Sequence, residues 1–180
     1  FKISLMLLTE THIKEPGVYI DKQTGYKITH SADAKRDPQG KLLQTFTGIS
    51  IIQAPHMAAT LTDMRPYHGR LCKLTYNTAE APLTIVAAYA PHNKHEYNTR
   101  KAFHDELTKV TSQVPPSHTL RVAGDLNAQI HEYSMAESQI TGPHLIAQTT
   151  PQLQEENEEP NNSTLMHDLC KTLSLCIPQT

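Results

Sequence analysis

Leu83-Thr84-Ile85-Val86-Ala87-Ala88-Tyr89-Ala90-Pro91-His92-Asn93 opens the stretch on which the fold turns. Pro82 and Pro91 bracket an apolar run of strand length, Leu83–Tyr89. The period then changes. Phe103, Leu107, Val110 and Val114 recur at i, i+4, i+7 and i+11, which is one face of a helix within residues 94–114. Asn93 with Glu96 three residues later resembles a capping box, and Pro115-Pro116 ends the run. Thr119–Ala123 is a second strand, followed at once by Gly124-Asp125-Leu126-Asn127. Further strands are expected at 3–8, 26–30, 47–53 and 70–76, the first of them apolar on both faces as in a doubly covered sheet. Strands with intervening helices argue for an α/β or α+β layered fold.

Residues 33–41 are polar, carry Pro38 and Gly40, and read as a loop. Residues 132–163 lack a sustained period and are rich in Gln, Glu, Asn and Pro, so they are expected to form a mobile insertion. Leu165, Leu169, Leu173 and Cys176 then suggest a last helix and the start of a strand. The whole of 1–180 reads as a single domain.

The 180 residues are 38% hydrophobic and 19% charged, with 7 Gly and 12 Pro, which excludes collagen, low-complexity disorder and a coiled coil. Residues 1–131 hold 15 Lys and Arg against 11 Asp and Glu, whereas 132–163 hold six Glu and no Lys or Arg. The mildly basic body permits contact with a polyanion without requiring it. No apolar run approaches the roughly 20 residues that span a bilayer. Three cysteines, an odd number, and no secretory signal point to a reducing, intracellular compartment, nucleus or cytoplasm, without a membrane partner. The chain begins with Phe1 and reads as a piece of a longer reading frame.

Chemistry-bearing residues sit at the ends of apolar strands. Glu10 follows 3–8, Tyr89 ends 83–89, and Asp125 and Asn127 follow 119–123. Strand ends converge at one edge of a layered sheet, where such folds place their sites. Asp125 and Asn127 are two apart, so in extended backbone both would point the same way. Two carboxylates and an amide oxygen are hard ligands suited to Mg²⁺ or Mn²⁺, with Glu10 and Asp125 as the metal-binding pair. Taken singly, each is ordinary: a Glu after a strand is usually a solvated loop residue, and Asp-x-Asn is often an Asx turn. His167-x-x-Cys170 with Cys176 lacks a fourth properly spaced zinc ligand. The overlapping glycosylation sequons in Asn161-Asn162-Ser163-Thr164 have no secretory context.

Leu8-Thr9-Glu10-Thr11-His12, Tyr89-Ala90-Pro91-His92-Asn93 and Gly124-Asp125-Leu126-Asn127-Ala128, in this order, resemble three motifs of the endonuclease/exonuclease/phosphatase superfamily. Thr47-Gly48-Ile49-Ser50-Ile51-Ile52 is similar to its segment in which a Gly precedes a buried strand. The Glu-Thr-His and Tyr-Ala-Pro-His forms, with Asn162–Thr180, resemble the endonuclease branch of non-LTR retrotransposons, whose domains are joined to a reverse transcriptase. The resemblance implies a four-layer sandwich of two packed β-sheets flanked by helices, and Mg²⁺-dependent (or Mn²⁺-dependent) cleavage of a phosphodiester in DNA. It gives Glu10 the metal, Asp125 the attacking water, Asn127 the phosphate or the orientation of Asp125, and Tyr89 a hydrogen bond to a phosphate oxygen. The family also has an Asn in a strand before the Glu strand and a Ser-Asp-His-like motif near its end. Neither lies within 1–180, so the resemblance implies a domain incomplete at both termini. It leaves a second reading, an inactive remnant that at most binds nucleic acid.

Overall fold

The computed structural model of the chain describes residues 3–43, 47–129, 140 and 159–177. They belong to two compact units, Phe1–Tyr89 with Gln113–Asp125, and Ala90–Ser112 with Leu126–Thr180.

The first unit contains two packed four-stranded sheets. One has the order β1 (Leu5–Leu8), β4 (Ile49–Gln53), β3 (Lys27–Ser31), β2 (Gly17–Ile20), with every pair antiparallel. The other runs β5 (Leu61–His68), β6 (Leu71–Tyr76), β7 (Leu83–Tyr89), β8 (Thr119–Asp125), and its last pair is parallel. A parallel pair needs a long crossover, and the chain makes it through α2 (Tyr97–Ser112). The short helix α1 (Pro55–Thr60) joins the sheets, with Pro55 at its first turn.

Alternation fixes what faces inward. Ile49 and Ile51 of β4 meet Cys72, Leu74, Tyr76, Ile85, Ala87 and Tyr89 of the facing sheet, all buried. Each large aliphatic side chain buried here stabilises the fold by about 1.5–3 kcal/mol relative to exposure. Gln53 also points inward, and its amide donates to the Tyr76 hydroxyl at 2.8 Å. That bond satisfies a donor that would otherwise be stranded in the core.

In the second unit α2 packs against α3 (Asn162–Leu173). Phe103, Leu107 and Val110 are buried on α2, as their spacing implies. Asn161 caps α3, its side chain accepting the Thr164 N–H, and Ser174 closes the helix in the left-handed region. No helix among the described residues is long and apolar enough to cross a membrane.

Three elements escape the sequence reading: β2, α1 and β5. β2 is exposed throughout and shows no alternation. β5 contains Asp63 and Pro66, which an edge strand tolerates because its outer side needs no ladder donor. Two further expectations are corrected. α3 begins at Asn162, inside the stretch read as a mobile insertion, because Asn162 is fully buried and bonded. Residues 132–139 and 141–158 of that stretch lie outside the described residues. Asn93 does not cap α2, which starts at Tyr97; its side chain accepts the Asn162 backbone N–H at 2.9 Å instead.

His104 has a consequence for acid stability. It is 4% exposed on α2, and neither ring nitrogen has a hydrogen-bond partner among the described residues. Burial, reinforced by the Arg100 cation, holds its pKa down from 6.5 to about 4. The unfolded chain therefore takes up this proton first as pH falls, and stability drains away between about pH 6.5 and 4. About 2 kcal/mol should be lost from this source between pH 7 and pH 5. Urea unfolding at both pH values checks it, with His104→Leu expected to flatten the dependence. An unchanged pH slope in that variant would remove the assignment.

Candidate active site

Within the first unit three strand ends deliver side chains to one place. Tyr89 closes β7 and is the register partner of Asp125, the last residue of the parallel strand β8. Glu10 lies two residues beyond β1, and β1 touches β8 across the sandwich. The Tyr89 hydroxyl donates to Glu10 Oε1 at 2.8 Å, joining residues 79 positions apart. Glu10, Tyr89 and Asp125 are thus brought together by topology and register. Asp125 is partly buried and Glu10 exposed.

The backbone beneath Glu10 is held in an uncommon shape. Glu10 and His12 adopt φ values of 54° and 53°. Such left-handed conformations cost a non-glycine residue of the order of 1 kcal/mol and persist only where the surroundings enforce them. Gly48 supplies part of the enforcement. The Thr11 N–H donates to its carbonyl at 3.3 Å, and a Cβ on Gly48 would lie 2.5 Å from Thr11 Oγ1. The glycine preceding β4 therefore lets the Glu10–His12 turn close down on it.

Burial raises the Tyr89 hydroxyl above its ordinary pKa, and the Glu10 carboxylate raises it further by hydrogen bond and by charge. Arg70 opposes this. Its guanidinium lies over the Tyr89 ring, 4.7 Å from the centroid, and Nη1 donates to the Tyr89 carbonyl at 3.3 Å. Sequence reasoning missed Arg70. Its only signal was a position at the head of an apolar strand, after a Gly.

Asn127 belongs to the second unit. Its φ of 47° breaks the extended backbone that would have turned its side chain the same way as that of Asp125. Its amide donates to the Ala90 carbonyl at 2.8 Å, and its own carbonyl accepts from Asn162 Nδ2 at 3.2 Å. Asn162 Nδ2 also donates to the Pro91 carbonyl at 2.7 Å. Asn162 thus ties the segment after Tyr89 to the segment after Asp125, a role for which its sequence context gave no signal. Its burial also removes it as a glycosylation acceptor.

No cluster of three or more His, Cys, Asp or Glu able to hold a metal occurs among the described residues. That does not fit a zinc-type centre closed by protein ligands. The carboxylates of Glu10 and Asp125 are hard oxygen donors, the type that a cation keeping most of its water takes one or two of, as Mg²⁺ does. Glu10 uses one carboxylate oxygen for Tyr89, and a carboxylate retains further lone pairs.

No protein-family model matches the chain, and a comparison with curated proteins gave no match either.

Proposed function

We propose that the chain is a metal-dependent phosphodiesterase domain that cleaves DNA, of the kind joined to a reverse transcriptase in non-LTR retrotransposons, working in the nucleus or cytoplasm. The observation that carries the proposal is the placement of Glu10, Tyr89 and Asp125 at separate strand ends: the Tyr89 hydroxyl is bonded to Glu10 at 2.8 Å, and Tyr89 is the register partner of Asp125.

Hydrolysis of a phosphodiester needs an activated water and neutralisation of charge on the phosphoryl oxygens. Glu10 and Asp125 would hold Mg²⁺ or Mn²⁺, which when bound supplies that neutralisation. Asp125 orients the attacking water and accepts its proton. Tyr89 fixes the Glu10 carboxylate by donating its hydroxyl proton to it. This differs from the role the resemblance gives Tyr89, since a hydroxyl whose proton goes to Glu10 has none left to donate to a phosphate oxygen. Asn127 holds the backbone after Asp125 through its bond to Ala90.

The test is nicking of supercoiled plasmid by the 180-residue chain. Weak nicking is expected with Mg²⁺ or Mn²⁺ and none after chelation. Nicking that persists in excess chelator would overturn the metal-dependent reading. DNA binding without nicking under any metal would establish the inactive, nucleic-acid-binding alternative.

A further inference from the structure

We propose that Arg70 is the phosphate-binding cation of this site, the group that takes a phosphoryl oxygen of the substrate beside Tyr89. The inference rests on the phosphodiesterase reading and adds a residue that reading does not contain.

Arg70 is fixed from several sides. Its backbone N–H donates to His68 Nδ1 at 3.1 Å, and its carbonyl accepts the Tyr89 N–H at 2.8 Å. The preceding Gly69 N–H donates to Asp33 Oδ1 at 2.9 Å, and Asp33 Oδ2 accepts the Thr47 hydroxyl at 3.4 Å. The Asp33 carboxylate is therefore spent on the backbone and on Thr47. Arg70 joins no ion pair among the described residues. Arg70 is part-exposed, its guanidinium lies over the Tyr89 ring, and Nη1 donates to the Tyr89 carbonyl.

Arginine carries five N–H donors in a planar fork, so most of them remain for an anion. A part-buried cation without a carboxylate partner among the described residues is poised for an anionic ligand, and a fork matches the paired oxygens of a phosphate. The Tyr89 hydroxyl gives its proton to Glu10 and cannot serve as that donor in the same arrangement. Arg70 meets the need the tyrosine leaves open. Stacking on the ring holds the fork in one orientation before substrate arrives.

The experiment measures binding of a labelled double-stranded DNA oligonucleotide to the full chain in Mg²⁺ across a salt series, with plasmid nicking in parallel. Arg70→Ala is expected to weaken binding about tenfold. The slope of log K against log salt should shrink by about 0.9, the signature of one lost phosphate contact. Arg70→Lys keeps the charge and should retain the slope while losing part of the affinity. Thermal melts of both variants establish that they fold. If Arg70 only positions Tyr89, Arg70→Ala will shift the ultraviolet titration of the tyrosines and leave the salt slope unchanged, which overturns the proposal. Binding and nicking by the wild type with an unaltered slope in Arg70→Ala defeats this inference alone. Failure of the wild type to bind DNA defeats the phosphodiesterase reading, and this inference with it.

Discussion

Gly124→Ala is expected to destabilise the protein by about 4 kcal/mol, most of the stability of a domain at the low end of the ordinary range of roughly 5–15 kcal/mol. Gly124 pairs with Ala88 where β8 runs parallel to β7. A Cβ built at position 124 would lie 1.9 Å from the Ala88 carbonyl oxygen and 2.9 Å from its carbonyl carbon. Those atoms are backbone of the buried strand β7, so nothing can swing aside. The φ of 140° at Gly124 is itself one that residues with a side chain rarely adopt. Clash and backbone strain therefore add. Gly17→Ala is the control, since nothing lies within 4 Å of the built Cβ there, and its effect should stay within about 0.5 kcal/mol. Urea midpoints of the two variants decide the matter, and a wild-type midpoint for Gly124→Ala would contradict the register of β7 and β8.

Asp125→Ala is expected to lower Mg²⁺-dependent nicking by about 10³-fold while leaving the fold intact. Asp125 lies at the end of a strand and is partly buried, so little packing is lost with its carboxylate. A general base of this kind typically contributes 10²- to 10⁴-fold. Asp125→Asn keeps the shape and removes the charge, and it should be impaired nearly as much if proton acceptance is the role. Glu10→Ala should also fall steeply, and more Mg²⁺ should then be needed for half-maximal nicking. Matched melts of the variants separate a chemical loss from a folding loss. Equal nicking by wild type and Asp125→Ala would withdraw the catalytic assignment.

The parts of the fold written in periodicity could be read directly. β7 at Leu83–Tyr89 and the buried face of α2 follow from spacing alone, because burial there is decided by the residue's own period. β5 and β2 could not be read this way. Their pairing is supplied by β6 and β3, and an edge strand carries little of its own alternation. At the site, Glu10, Tyr89 and Asp125 were legible because each ends an apolar run. Arg70 was not, since its place over the Tyr89 ring comes from the pairing of β6 with β7 rather than from any local pattern. Asn162 was hidden for a related reason: its partners, Pro91, Asn93 and Asn127, are all at least 35 positions away.

The left-handed backbone at Glu10, His12 and Asn127 sets stability against chemistry at the residue level. Glycine accepts that conformation without the side-chain penalty, so Glu10→Gly would relieve strain of the order of 1 kcal/mol at the position of one of the two carboxylates of the proposed site. Variant libraries sorted only for solubility or heat tolerance would therefore enrich glycine at these three positions and hand back well-behaved proteins with the site erased. Sorting the same libraries for DNA cleavage would drive position 10 the opposite way, and the divergence between the two enrichments would map where this chain gives up stability to keep its side chains in place.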